Sequence, residues 1–262
     1  MDYNYNKSFK MIPYILILCL LTFLFYEYYI YIFKNKLNNL NNVIPKNSVR
    51  VSPLSGEIIQ NVTSDPPLLQ VNYEYKDISK LYKINTADIV VEEFSPYSDS
   101  LNYIGIFYSK NISLNESISS ISHISVNSLP TINFIDYLDL NKYLFSNKIN
   151  TLLISYTPDL CTNLIYKDNV YYYYPHKVQD INSFSNEPIT FKNIIIDPDY
   201  LSKKVHTGLL FSGGKSQKLE IDNQNIKMIN LSKDLPFSLL RGNTLWIKCI
   251  PSTKIITGYS PL

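Results

Sequence analysis

The stretch ADIVVEEFSPYSDSLNYIGIFYS, residues 87–109, decides how the chain begins to fold. Its two outer parts, Ala87–Phe94 and Leu101–Ser109, are rich in Ile, Val, Tyr and Phe, which favour β-strands. The residues between them include Pro, Asp and Ser, which are typical of the ends of strands. The stretch therefore predicts two successive strands.

Segments of the same composition recur further along the chain. We predict strands at Asn150–Tyr156, Asn169–Tyr174, Lys192–Asp197 and Thr244–Ile250. Two segments instead have apolar residues at helical spacing, and these predict helices at Asp77–Ile84 and Asn133–Phe145. Strands mixed with helices before Asn150, followed mostly by strands, predict an α+β class. The expected division is an N-terminal half at 51–160 and a strand-rich C-terminal half at 161–262.

The sequence GGKS at 213–216 looks like part of a phosphate-binding loop. Such a loop needs an earlier glycine at the position that Leu209 occupies, and a helix after it. The residues that follow alternate with a period of two around a turn at Asp222–Asn223, which indicates strands. We therefore predict a Gly-Gly hairpin and no bound nucleotide. Ser212 and Lys215 also spell Ser-x-x-Lys, but no Lys-Thr-Gly partner follows.

An apolar segment near the start, MIPYILILCLLTFLFYEYYIYIF at 11–33, predicts a transmembrane helix. It has no charge before Glu27 and would be roughly 34 Å long as a helix. A cleaved signal peptide is disfavoured because the apolar run is long and no small-x-small site follows it. A lipid-modified Cys19 is disfavoured because Leu16-Ile17-Leu18 precedes it. Residues 1–10 would then be a short cytoplasmic tail.

The Asn-rich segment at 34–50 is expected to be a stalk or linker. Leu37, Leu40 and Ile44 have helical spacing, so it either continues the anchor helix or forms a flexible polar linker. Lysines flank the apolar segment on both sides, so charge alone does not decide the orientation. By precedent for single-pass anchors, we expect the region after the stalk to lie outside the cell membrane.

Charge and cysteine content exclude several classes of protein. The chain has 24 basic and 22 acidic residues spread along its length, so nucleic acid is not an expected partner. The 3 cysteines are far apart, which makes a structural metal site or a disulfide framework improbable. A single bridge between Cys161 and Cys249 stays open. We expect neither a cofactor nor a metal.

Several short motifs, taken in order, resemble those of the YerB-like lipoprotein family. They are SPLSGE at 52–57, TADIVVEEF at 86–94, YIGIFYS at 103–109, YYYYPHKVQDI at 171–181 and RGNTLWIKCIP at 241–251. Each is weak alone, but their order covers nearly everything after the stalk. The resemblance implies a bacterial extracytoplasmic protein, often lipid-anchored, of unestablished activity. In this chain the transmembrane helix would replace the lipid.

The chain also departs from the family pattern. Where the family has an arginine-rich motif, this sequence has SISSISHISVNSLP at 117–130, without arginine. Where the family has His-x-Gly-Gly-Ser, it has SYTPDL at 155–160. Asp88, Glu92, Pro175 and His176 remain from the polar signature. A site built on the missing residues would be lost or remodelled here.

The candidate catalytic residues are His176, Asp88 and Glu92. A histidine at the exit of a strand is able to act as a general base, although hydrogen-bonded structural histidines are commoner. Asp88 and Glu92 would share one face of their strand as an acid/base pair, with Glu93 on the other face. A solvated face is the commoner role for such carboxylates, and Asp197-Pro198-Asp199 is interpreted as a turn.

The remaining histidines, His123 and His206, have less support because no acidic residues lie at ligand spacing. Tyr171–Tyr174 cannot form one stacking platform, since consecutive strand residues point to opposite faces. Trp246 is interpreted as a core residue.

These patterns predict a membrane-anchored extracytoplasmic binding or scaffold protein of the bacterial cell envelope, non-catalytic, with envelope-assembly proteins as partners. The alternative is an envelope hydrolase or transferase that uses His176 with Asp88 or Glu92. A sensor that signals through the span is disfavoured, because a tail of about ten residues is too short for an output domain.

Overall fold

The computed structural model describes residues 25–28, 50–59, 66–74, 76–108, 112, 115–139, 148–175, 186–202, 204–222, 225–229 and 235–258. The chain divides into two compact units, Met1–Val49 and Arg50–Leu262. Residues 25–28, which are described in the first unit, are α-helical. The second unit contains the region after the stalk and is called the body.

The body is built from short strands with turns between them. The strands are β1 Arg50–Val51, β2 Ile58–Ile59, β3 Leu68–Tyr73, β4 Ile89–Ser95, β5 Ser100–Tyr108, β6 Ile118–His123, β7 Asn133–Ile135, β8 Thr151–Ser155, β9 Cys161–Lys167, β10 Val170–Pro175, β11 Thr190–Phe191, β12 Asn193–Asp197, β13 His206–Ser212, β14 Lys215–Asp222, β15 Asn225–Met228, β16 Leu235–Pro236, β17 Ser238–Leu240, β18 Thr244–Lys248 and β19 Lys254–Gly258. Short 3₁₀ helices span Ile78–Lys80, Ile84–Thr86, Val126–Ser128 and Tyr137–Asp139.

The predicted α+β class is wrong. Of the described residues, 54% are in strands and 9% are helical, so the protein is mostly β. The transmembrane helix of that prediction is not found either: within the described ranges, no helix is both long enough and apolar enough to cross a bilayer. Of the predicted span at 11–33, all but residues 25–28 lie outside the described residues.

Two sheets form most of the body. The larger has ten strands in the order β16-β15-β14-β13-β12-β18-β4-β5-β3-β6, and the smaller has five in the order β11-β10-β9-β8-β19. Within the larger sheet, β12, β18 and β4 are parallel, and the other neighbours are antiparallel. These three strands are central in the sheet, and because they are parallel their C-terminal ends lie side by side.

The main hydrophobic core lies between the two sheets. Val90 of β4, Ile194 of β12 and Leu245 of β18 belong to the same buried cluster as Leu152 of β8 and Tyr171 of β10. Burying such side chains away from water supplies most of the stabilisation of a sandwich of this kind.

The other face of the ten-stranded sheet is also covered. Ile89 and Val91 of β4 belong to a second cluster, while Val90 and Phe94 point into the main core. Strand β12, Asn193–Asp197, is buried at every position. Continuous apolar runs such as IVV and NIII suit strands that are covered on both faces.

All six strand predictions are confirmed, at β4, β5, β8, β10, β12 and β18. Both helix predictions are wrong where the structure describes them. Asp77–Ile84 forms a 3₁₀ turn and the start of a second one. In Asn133–Phe145, residues 133–135 form β7 and 137–139 a 3₁₀ turn, and the rest lies outside the described residues.

The Gly-Gly hairpin is confirmed. Strands β13 and β14 pair up to Ser212 and Lys215, with Gly213 and Gly214 between them. Their φ angles are 57° and 73°, which is the left-handed region that a two-residue turn of this type requires. A Cβ on Gly214 would also lie 2.8 Å from the ring of Tyr166. The segment that looked like a phosphate loop is therefore a tight turn.

Candidate functional site

Of the three predicted catalytic residues, the structure describes Asp88 and Glu92, and it does not bring these two together. His176 lies outside the described residues, directly after Pro175 at the end of β10. Asp88 and Glu92 are four residues apart along one extended segment, a separation of about 13 Å. They lie in separate hydrogen-bond networks, so the described geometry does not support an acid/base pair.

Asp88 fastens the segment between β1 and β2 to the larger sheet. Its Oδ1 accepts hydrogen bonds from Ser52 Oγ at 2.7 Å and from Ser55 Oγ at 2.6 Å. Its Oδ2 accepts one from the backbone N–H of Tyr108 at 2.8 Å. Both carboxylate oxygens are thus used within the fold, which gives Asp88 a structural role.

Glu92 points into the core between the two sheets and is completely buried. Its Oε1 accepts hydrogen bonds from the Tyr156 hydroxyl and, at 2.8 Å, from Thr162 Oγ1. Its Oε2 accepts one from the Tyr173 hydroxyl at 2.7 Å. The Tyr103 hydroxyl lies 3.2 Å from that of Tyr173. We call these five residues the glutamate network.

Burial raises the pKa of Glu92 above its usual value, although the hydrogen bonds from Tyr156, Tyr173 and Thr162 oppose that rise. A carboxyl group in this position therefore keeps its proton to a higher pH than it would in water. A solvated position was expected to be the commoner role for such a carboxylate, and for Glu92 that expectation is wrong. The residue instead ties β4 to the smaller sheet.

Other residues that the sequence singled out lie apart from one another. His123 is exposed at the end of the edge strand β6. Cys161 and Cys249 form no disulfide. Tyr171 and Tyr173 are buried whereas Tyr172 and Tyr174 are half-buried, which confirms that the four do not form one platform. Among the described residues, no group of three or more His, Cys, Asp and Glu side chains is placed to hold a metal ion.

A row of polar side chains lies across the central strands of the larger sheet, near the C-terminal ends of the three parallel strands. Neighbours in register across β12, β18, β4 and β5 are Asp197, Lys248, Glu93 and Asn102. Residues paired in this way place their side chains on one face of the sheet. The row lies on the face opposite the glutamate network, because Glu92 and Glu93 are consecutive.

Asp197 pairs with His206, a histidine for which the sequence offers little evidence of a functional role. His206 Nε2 lies 2.7 Å from Asp197 Oδ1, and His206 Nδ1 lies 3.0 Å from the carbonyl oxygen of Lys204. Both partners have acceptor oxygens, so this geometry favours the imidazolium form of the ring, in which both nitrogens donate. Burial lowers the pKa of His206, but the hydrogen bonds to Lys204 and Asp197 and the charges of Asp197 and Asp199 outweigh it and raise the pKa.

Beside this row lies a cavity of about 260 Å³, here called the Trp246 pocket. Its floor is the apolar row next to the polar one, formed by Val91, Ile104 and Trp246 in register on three neighbouring strands. Leu129 and Pro130 form a wall. Charged residues at its rim are Asp197 and Lys248. A cavity with an apolar floor and a few polar groups is the usual form of a small-molecule site.

Among the described residues, two side chains that line the pocket carry a hydrogen-bond donor without an acceptor. Lys248 Nζ lies 5.7 Å from the centre of the Trp246 ring, a cation–π contact. Within the described part of the chain, Lys248 makes no ion pair with Asp197 or Glu93. Nothing among the described residues accepts a hydrogen bond from Trp246 Nε1, which is buried. The ammonium group of the half-buried Lys248 is therefore the group that a ligand with acceptor atoms would meet.

A larger depression of about 480 Å³ lies on the other side of Leu129 and Pro130. Its lining includes Ser52, Asn127 and Phe134, and none of the described residues that line it is charged. It therefore offers less to orient a ligand than the Trp246 pocket does.

Sequence reasoning missed the Trp246 pocket. Asp197 was interpreted as part of a turn, and Trp246 as core. The turn is confirmed, but Asp197 at its start also pairs with His206. The available signal was that IIID and LWIK each end a strand with a charged residue. Placing those ends side by side requires the strand order, which the sequence does not contain.

The body has a distant YerB-like fold, a mostly β structure with a ten-stranded and a five-stranded sheet. The similarity is to the crystal structure of the YerB protein from Bacillus subtilis, with a TM-score of 0.52 and 15% sequence identity. It covers 79% of this chain and 99% of that chain. No protein-family model and no curated protein matches the sequence. At this identity the likeness concerns the fold alone.

Proposed function

We propose that the body is a non-catalytic binding protein of the bacterial cell envelope and that the Trp246 pocket is its binding site. The observation that carries the proposal is a cavity with an apolar floor and, at its rim, a lysine, Lys248, that makes no ion pair among the described residues. A cavity that combines apolar surface with a few polar or charged groups is the usual form of a ligand site. The pocket therefore favours binding.

The candidate carboxylates support a binding role rather than catalysis. Both oxygens of Asp88 accept hydrogen bonds from the protein. Both oxygens of Glu92 do the same in the core, where the residue is completely buried. A general acid or base must reach its substrate directly or through one water molecule. The described geometry keeps these two groups away from such a position.

The proposed location outside the membrane rests on the resemblance of the sequence motifs to the YerB-like lipoprotein family. Protease added to intact cells tests this location. We expect the body to be digested in intact cells whose cytoplasmic proteins stay whole. Digestion only after lysis would contradict the proposed location.

Complementation of a deletion strain tests the pocket. Ile104→Phe would fill the pocket floor and is expected to abolish complementation. Asn102→Phe is the matched control, because Asn102 lies two residues away on the same strand and face but is exposed. Full activity of the Ile104→Phe variant would contradict a role for the pocket.

The same assay separates binding from the catalytic alternative. Under the proposal, His176→Ala complements fully. If this variant accumulates and folds normally but fails to complement, a hydrolase or transferase is the better interpretation.

A further inference from the structure

We propose that the Trp246 pocket binds a small organic anion, a carboxylate on a short apolar body, with its carboxylate at Lys248 and its apolar part on Trp246 and Ile104. This inference rests on the proposed function, and it adds the chemical class of the ligand. It follows from the size, the floor and the charges of the pocket.

The size limits the ligand to a small molecule. The cavity holds about 260 Å³, which corresponds to about nine water molecules at about 30 Å³ each. A ligand with on the order of ten non-hydrogen atoms fills that volume.

The floor selects an apolar body. Val91, Trp246 and Ile104 lie side by side on three strands, and Ile106 extends the floor along β5. Pro130 closes one side. An apolar chain or a ring placed there removes apolar surface from water on both partners.

The charges select an anion over a cation. Asp197 is already compensated by His206 at 2.7 Å. Lys248 lies between Asp197 and Glu93 in the row, yet it pairs with neither within the described residues and lies over Trp246 instead. An incoming carboxylate would meet an ammonium group without a partner. An incoming ammonium would compete with His206 for Asp197.

The hydrogen-bonding groups point the same way. Lys248 Nζ is a donor with no acceptor among the described residues, so the head group of the ligand should supply acceptors. A carboxylate has two acceptor oxygens, and its hydrogen bonds with an ammonium group are charge-assisted. A neutral hydroxyl would satisfy one donor without neutralising the charge.

Fluorescence of the full-length protein gives a direct assay, because the chain contains 1 tryptophan, Trp246. The probes are hexanoate, 1-hexanol and hexylamine, which share an apolar chain and differ in the head group. We expect hexanoate to change the emission of Trp246. We also expect it to bind about tenfold more tightly than 1-hexanol, because losing a charge-assisted hydrogen bond weakens binding by about that factor. Hexylamine is expected to bind most weakly.

Lys248→Met keeps the side-chain stem and removes the charge, so it is expected to weaken hexanoate binding about tenfold or more. Lys248→Arg is expected to restore most of the affinity. Lys218→Met is the matched control, since Lys218 is exposed on β14, and should bind hexanoate as the wild type does. Thermal unfolding of each variant shows whether it remains folded.

Equal affinity for hexanoate and 1-hexanol would overturn the proposal, as would a preference for hexylamine or no binding of any probe at millimolar concentration. Unchanged hexanoate binding in a folded Lys248→Met protein would overturn it too. These failures differ from failure of the proposed function. If the three probes bind with equal affinity but the Ile104→Phe variant fails to complement, the pocket is still a binding site, and its ligand is not an anion.

Discussion

Polar side chains on the two faces of the larger sheet differ in how fully the protein supplies their hydrogen-bond partners. On the face towards the smaller sheet, Glu92 is completely buried and both of its oxygens accept hydrogen bonds. On the other face, no described residue accepts a hydrogen bond from Trp246 Nε1, and Lys248 at the pocket rim makes no ion pair within the described chain. Strand β4 borders both regions, through Glu92 on one face and Val91 on the other.

This difference separates a structural network from a candidate site. A buried polar group with all its partners stabilises one arrangement of the chain and has nothing left to offer a ligand. A half-buried ammonium group without an ion pair, beside a cavity, can still bind a ligand. A raised carboxyl pKa in a sequence motif therefore does not by itself identify a functional site.

The largest expected effect comes from breaking the glutamate network. Glu92→Ala would leave the hydroxyls of Tyr156, Thr162 and Tyr173 without their acceptor and open a cavity. We expect the free energy of unfolding to fall by about 3–5 kcal/mol, measured by urea denaturation. Glu220→Ala, on the exposed side of β14, is the control and should change stability by about 0.5 kcal/mol or less. Equal effects would show that the network contributes little.

The next effect is the pH dependence of Glu92. Because its pKa is raised in the folded protein, the folded state holds a proton that the unfolded state loses above about pH 4.5. Its contribution to stability is thus complete below that pH and is lost as the pH rises through the folded pKa. We expect the stability difference between wild type and Glu92→Gln to shrink with rising pH. A difference that grows with pH would contradict the raised pKa.

A smaller effect is expected at the rim of the Trp246 pocket. The raised pKa of His206 means that its contribution is complete below about pH 6.5 and is lost as the pH rises through the folded pKa. His206→Gln should cost on the order of 1 kcal/mol at low pH and less at high pH. Histidine resonances followed by NMR would check the direction of the shift. A pKa below 6.5 would contradict the imidazolium at Asp197.

The smallest effect on stability is expected for Lys248→Met. Lys248 makes no ion pair within the described chain, and the cation–π contact with Trp246 is all that the substitution removes. A change of about 0.5–1 kcal/mol is expected, by the same urea measurement. If Lys248→Met lowered the free energy of unfolding as much as Glu92→Ala does, Lys248 would be a structural residue like Glu92, and the proposed difference between the two faces would be wrong.

The strands were predictable because their signal is local. Segments such as KNIIID and TLWIKCI contain runs of β-branched and aromatic residues between turn residues, and each forms a strand. The Gly-Gly turn was predictable for the same reason, since few residues adopt two successive positive φ angles.

The helices were wrongly predicted because distant contacts decide those segments. Ile78, Leu81 and Ile84 are all buried at a spacing of three, which suits successive 3₁₀ turns as well as one α-helix. Residues 133–135 instead pair in parallel with β17, about one hundred residues later in the chain. Such pairing overrides a local helical pattern, and a single sequence does not show it.

The sequence by itself determined six of the strands and the tight Gly-Gly turn, because β-branched composition and glycine geometry act within a few residues. The tertiary structure alone decided that Glu92 is sealed between two sheets and that Asp197, Lys248 and Trp246 border one pocket. Those outcomes depend on the order and register of strands far apart in sequence. Backbone hydrogen bonds are the same for every side chain and so do not select a partner strand; the packing of side chains from distant segments does.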